Sequence, residues 1–178
     1  MANSPGSFVE LDTKAIAEDG TFTGYASVFG VKDRGRDVVM PGAFKKSMAS
    51  YPASKVKMLL QHDTREPVGV WLSFEEDGKG LKATGRLILD TVKGRETYAL
   101  MKAGAYDSLS IGYRTVRDEL DRKAGTRLLH EVELREVSIV TFAMNEAATI
   151  SAVKHQATSF SELVAALNDT TRKLKGIK

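Results

Sequence analysis

Along this chain the apolar residues alternate more often than they recur every third or fourth position, and the alternation comes in short runs. Period two argues for strands with one face turned inward. Residues 8–16 read as a first strand and residues 21–29 (TFTGYASVF) as a better one, because β-branched and aromatic side chains suit a pleated, half-buried surface. Residues 30–40 form a polar loop with two glycines. Pro41-Gly42-Ala43-Phe44 then opens a short helix, since proline fits the first helical turn, and Pro52 limits its far end. Residues 56–62 predict a strand with Val56, Met58, Leu60 and His62 on one face. Residues 68–74 and 81–89 flank a polar turn at 75–80 and predict a hairpin. Residues 91–102 predict a helix with Val92, Tyr98, Ala99 and Met101 inward, closed by Gly104.

The next run, residues 107–114 (DSLSIGYR), has an unusual face. Ser108, Ser110, Gly112 and Arg114 fall on one side, and Leu109, Ile111 and Tyr113 on the other. Two serines and a glycine leave room above the strand, and glycine within a strand often marks close approach of a ligand or another backbone. The alternative is a strand whose serine face meets water. Residues 117–125 read as a charged turn, and residues 127–141 as two abutting strands or one bent strand. Residues 142–157 are small and irregular. Residues 160–174 predict a last helix, capped by Ser159 or Ser161, with Leu163, Val164 and Leu167 as a narrow stripe. The fold class expected is mainly β with flanking helices (α+β), since the strands are too closely spaced for regular βαβ units.

Composition narrows the function classes. The 178 residues suit one domain with a short appendage: 1–154 as the domain and 155–178 as a helical segment or tail. The 26 basic residues are balanced by 23 acidic ones, too mixed for a nucleic-acid-binding face. Cysteine is absent, which excludes disulfides, thiolate metal sites and cysteine nucleophiles. Residues 1–20 carry Glu10, Asp12, Glu18 and Asp19 and no apolar h-region, so they do not read as a signal peptide. No apolar run approaches the ~18 residues of a membrane span. We therefore expect a protein of a reducing compartment with no membrane or nucleic-acid partner. No metal or cofactor is expected either, because no two histidines have ligand spacing and phosphate-binding glycine loops are missing.

Three residues stand out as chemistry. His62 ends an apolar-faced strand and precedes Asp63, Thr64 and Arg65, which places it between core and loop, where a general base is both oriented and reachable. Its plainer role is a structural histidine bonded to a backbone carbonyl. Glu136 shares a face with Val132, Leu134, Ser138 and Val140, whereas Glu131 and Glu133 lie on the solvated side with Arg135, Val137 and Ile139. A carboxylate among apolar neighbours needs a partner. A histidine N–H is one such partner; Arg114 or Arg86 is the other. Ser110 needs a base, because a serine hydroxyl is a weak nucleophile at neutral pH. The order His, Ser, acid matches none of the three familiar triad orders, and no G-x-S-x-G elbow is present, which argues against an α/β-hydrolase.

Four blocks, in order, resemble those of the tailed-phage prohead maturation proteases. They are Gly24-Tyr25-Ala26-Ser27-Val28-Phe29-Gly30 with Asp33, Asp37 and Pro41-Gly42-Ala43-Phe44; Gln61-His62-Asp63 with Pro67-Val68-Gly69; Leu109-Ser110-Ile111-Gly112-Tyr113; and Leu134-Arg135-Glu136-Val137-Ser138-Ile139-Val140 with Phe142, Asn145 and Ala147. The resemblance covers about residues 20–151. It implies a serine protease with a herpesvirus assemblin-like antiparallel β-barrel, one that acts inside the immature capsid in the host cytoplasm. The implied substrates are the scaffold segment of the major capsid protein and the protease itself, and a homodimer or higher oligomer is possible. Carried over, the catalytic residues are His62 and Ser110, with Glu136 as third member. His130 is its rival, because assemblins use a second histidine. The two lie six positions apart, roughly 20 Å along an extended strand, so both cannot reach His62. Ala143 stands where the family pattern leads us to expect proline. A catalytically inactive scaffolding relative and a plain β-rich binding module are the competing readings.

Overall fold

A computed structural model of the chain describes residues 16–151. Eight strands and two α-helices follow in the order β1 (Thr21–Val28), β2 (Asp37–Val39), α1 (Lys45–Ser50), β3 (Lys57–Leu60), β4 (Asp63–Glu76), β5 (Gly80–Leu87), α2 (Val92–Lys102), β6 (Ser108–Asp121), β7 (Thr126–Val140) and β8 (Ile150–Ser151). The hairpin of β4 and β5 is the one its alternation predicts. The N-terminus of α2 is capped by Thr91, whose hydroxyl accepts the Gly94 N–H at 3.0 Å. Its C-terminus is closed by Gly104 at φ 74°. The strand expected before Ile16 and the helix expected at 160–174 lie outside the described residues.

The sheet is organised around β7. Along one edge β6 pairs with it antiparallel, from Ser108 opposite Val140 to Asp121 opposite Thr126. Along the other edge β2 and β3 both run parallel to it, at Asp37 opposite Arg127 and at Lys57 opposite Glu136. From β3 the order continues through β4, β5 and β1 to β8. The mainly β fold with flanking helices is as expected, and in detail the sheet is curled and mixed, with parallel pairs at β2 and β3, rather than purely antiparallel. Residues 148–150 stitch its far edge back to β6: Tyr25 N–H donates to Thr149 O at 2.9 Å, Leu109 N–H to Ala148 O at 3.0 Å and Ile150 N–H to Asp107 O at 2.9 Å.

The curl encloses a core of fully buried Phe22, Phe44, Met58, Trp71, Leu109 and Ile139. The Trp71 indole packs edge-on to Phe22, with ring centroids 5.6 Å apart. Its N–H is shared by the carbonyls of Lys57 and Val137, each at 3.3 Å, so the one polar atom of that side chain is satisfied. Four expectations change. Residues 117–121 continue β6 rather than turning. Residues 30–40 contain β2. Val137 and Ile139 are buried, although their face read as solvated, because strands flank this part of β7 on both edges and packing covers both faces. Val92 is exposed, and α2 turns Gly94, Thr97 and Met101 inward.

Candidate active site

The connection from β3 to β4 is two residues long. Leu60 pairs with Asp63, and between them Gln61 and His62 take φ of 54° and 60°. A two-residue hairpin loop with both φ positive has the twist that right-handed strands require, and glycine or asparagine usually fills it. Here neither residue is glycine, and left-handed backbone costs an ordinary residue roughly 1–2 kcal/mol. Neighbouring strands hold it there. Gln61 donates its backbone N–H to Ile139 O at 2.9 Å and its amide to Thr141 Oγ1 at 2.6 Å. His62 donates its backbone N–H to Ser138 Oγ at 3.2 Å. His62 therefore leaves the strand instead of sharing the face of Val56, Met58 and Leu60. The turn carries its ring to the face formed by β6 and β7.

On that face, Ser110 lies opposite Ser138 and Gly112 opposite Glu136. The His62 ring bridges the two strands: Nε2 is 2.9 Å from Ser110 Oγ, and Nδ1 is 2.6 Å from Glu136 Oε1. The other carboxylate oxygen, Oε2, accepts the Ser138 hydroxyl at 2.6 Å. Ser138 thus donates to Glu136 and accepts from the His62 backbone, which fixes both carboxylate and turn. A Cβ on Gly112 would collide with Glu136 Oε1. The room above Gly112 is filled by the Glu136 carboxylate; it is not open to a substrate, as the serine face alone suggests.

Burial is graded across the group. Ser138 and Ser110 are 0% and 4% exposed, the Glu136 side chain 14% and the His62 side chain 41%. The hydrogen bond that His62 donates to Glu136 raises the His62 pKa above the ordinary imidazole value, burial opposes this, and the carboxylate charge adds to it. With its Nδ1–H held by the carboxylate, the ring presents Nε2 to the serine as an acceptor. Such a set takes a proton from a hydroxyl and stabilises the resulting imidazolium.

Other candidate residues face other groups. Arg114 forks onto Glu133 at 2.8 and 2.6 Å. His130 Nε2 faces Glu119 at 3.4 Å. Ser108 donates its hydroxyl to Asp107 at 2.7 Å. Sequence reasoning misses Ser138; the available signal is its place two residues after Glu136 on the same face. Among the described residues no group of three or more His, Asp or Glu side chains is placed to hold a metal ion, and no helix is long and apolar enough to cross a membrane.

The model of the caudovirus prohead serine protease family matches residues 9–162. The chain belongs to that family. The family is one of peptidases. The prohead protease of Enterobacteria phage HK97 is 38% identical over 83% of this chain and 67% of its own length. That of Escherichia phage T5 is 29% identical over 74% of this chain and 61% of its own length, so the chain spans about two thirds of these relatives. Among solved structures, the bacteriophage T4 capsid assembly protease overlaps at TM-score 0.57 and 17% identity, covering 67% of this chain and 80% of that one, which speaks to the fold alone. Ala143 is buried with Val140 and Ala148. The loop after it is held by Asn145, whose amide donates to Val28 O at 2.9 Å.

Proposed function

We propose that this chain is a serine endopeptidase in which Ser110 is the nucleophile, His62 the general base and Glu136 the group that orients His62. The observation that carries this reading is the single imidazole held between a buried hydroxyl at 2.9 Å and a largely buried carboxylate at 2.6 Å. Ser110 Oγ attacks the scissile carbonyl while His62 Nε2 takes its proton, and the imidazolium is stabilised by Glu136. Collapse of the tetrahedral adduct transfers that proton to the leaving amine and leaves an acyl-serine. Water, deprotonated by the same nitrogen, releases the acid and restores the hydroxyl. Residues 1–154 form the catalytic domain in this reading.

The substrate is the scaffold segment of a major capsid protein, with self-cleavage as a second reaction, inside an immature phage capsid. This rests on family membership and on the role of the HK97 and T5 relatives as prohead proteases. Co-expression with the cognate major capsid protein, followed by intact-mass analysis, tests it. Wild-type protein shortens the capsid protein and Ser110→Ala leaves it whole. Processing by Ser110→Ala removes the assigned nucleophile; an intact substrate beside wild-type protein favours an inactive scaffolding relative.

A further inference from the structure

A cleft of about 100 Å3 opens beside the proposed nucleophile, several times the space one water requires. Its floor is β6, through Leu109, Ser110, Ile111 and Tyr113; its walls are the loop after β1 and the loop after β7. The two walls are tied together by the Arg34 N–H to Met144 O bond at 3.0 Å and by an Arg34–Glu146 ion pair at 2.9 Å. Apolar wall comes from Val31, Val39 and Met144, and charge from Asp33 and Asp37.

The two carboxylates differ. Asp37 is fully engaged: Arg127 forks onto it at 2.8 and 2.5 Å, and the Tyr113 hydroxyl donates to it at 2.8 Å. Asp33 accepts the Asp37 backbone N–H at 2.8 Å and makes no ion pair among the described residues; the charge of Arg127 reaches it, but that guanidinium is bonded to Asp37. Two acidic groups and one guanidinium leave a net charge of one negative unit in a half-enclosed cleft. Burial raises the Asp33 carboxyl above its ordinary value, the direction expected where the charged form is poorly solvated. A second, independent feature points the same way. Ser27, 1% exposed, lines this cleft, and its hydroxyl has no hydrogen-bond partner. Buried hydroxyls are ordinarily bonded.

We propose that this cleft is the specificity pocket for a lysine or arginine side chain adjoining the scissile bond, with Asp33 receiving the cationic head and Ser27 supplying a further acceptor. The aliphatic stem lies against Val31, Val39 and Met144. Asp37 is held by Arg127 and shapes the pocket without receiving the cation. The pocket assignment rests on the protease reading, because the cleft adjoins Ser110. It gives residues outside the triad the choice of substrate class.

The test uses the full chain and a mixture of proteome-derived peptides, with mass spectrometry of the cut ends, followed by matched peptides that carry lysine or norleucine at the enriched position. Wild-type protein should enrich lysine or arginine on one side of the cut. Asp33→Asn should lower the lysine-to-norleucine ratio of kcat/KM about 10- to 100-fold, the worth of one hydrogen bond between charged groups. Ser27→Ala should lower the ratio by less. Cuts that depend on Ser110 but show no basic enrichment overturn the pocket and leave the protease reading standing, as does an unchanged ratio in Asp33→Asn. The wild-type profile decides even where a variant does not fold. No cutting, together with no reaction of Ser110 with a small fluorophosphonate, overturns the protease reading and the pocket with it.

Discussion

Replacing Glu136 with glutamine removes one charge while keeping the shape of the side chain, and the surrounding hydrogen bonds determine the cost. Glu136 faces the His62 Nδ1–H at 2.6 Å and the Ser138 hydroxyl at 2.6 Å, so both of its oxygens act as acceptors. An amide offers one acceptor and one donor. With its oxygen toward His62, its NH2 meets a hydroxyl that already accepts the His62 backbone N–H, and the Ser138 proton loses its partner. With its NH2 toward His62, the ring is forced to carry its proton on Nε2, where it cannot take one from Ser110. Two unit charges ~4 Å apart interact by about 1 kcal/mol in bulk water and about 4 kcal/mol near a protein surface. The His62 side chain is 41% exposed, so solvent screening keeps the value below the upper figure. Charge loss alone then slows kcat/KM about 10- to 10³-fold, and the wrong tautomer brings the total toward the roughly 10⁴-fold seen for the equivalent change in a more buried triad. The assay is peptide cleavage across pH. Because Glu136 raises the His62 pKa, Glu136→Gln lowers it, and the acid limb of the profile moves to lower pH while the plateau falls. The stability linkage has the same sign. Stabilisation by the raised pKa is fully present below the unfolded histidine pKa and is lost as pH rises through the folded one, and Glu136→Gln abolishes that dependence. Full turnover, with a stability loss of about 3–5 kcal/mol, would instead make Glu136 a buried ion-pair residue with no part in orienting the base.

Gly112→Ala drives a Cβ into Glu136 Oε1 and displaces the carboxylate from His62; peptide cleavage should fall about 100-fold, the cost of misplacing a catalytic group by about an ångström, with near-native circular dichroism. His62→Ala should slow cleavage about as far as Ser110→Ala, and the double variant should be little worse than either, because triad losses do not add; additive losses measured on the same peptide would place His62 outside the triad. His130 faces Glu119 and makes no hydrogen bond to the three site residues, so His130→Ala should retain cleavage within a few-fold.

Much of the site is legible in the sequence because the chain has only three histidines, and because Glu136 occupies a face otherwise filled by Val132, Leu134, Ser138 and Val140. What the sequence hides is geometry held by distant partners. Nothing in Gln61-His62 announces a left-handed turn; without glycine or asparagine, the conformation depends on Ile139, Ser138 and Thr141, more than 70 positions away. Ser138 reads as a small filler until the strand pairing sets it beneath both His62 and Glu136. Period-two alternation marks strands but carries no direction, so the parallel pairing of β2 and β3 with β7 is not readable from it. The far end of the β6–β7 hairpin resembles a charged loop because it extends beyond the core, and its side chains from Val116 to Leu120 remain exposed.

The assignment of Ser110 as nucleophile meets its sharpest test when the full-length protein is reacted with a fluorophosphonate and the adduct is located by intact mass and peptide mapping. We expect one adduct per chain, on Ser110, retained in Ser108→Ala, lost in Ser110→Ala and strongly slowed in His62→Ala. An adduct on Ser108, or labelling of Ser110 that proceeds unchanged in His62→Ala, would contradict the assignment.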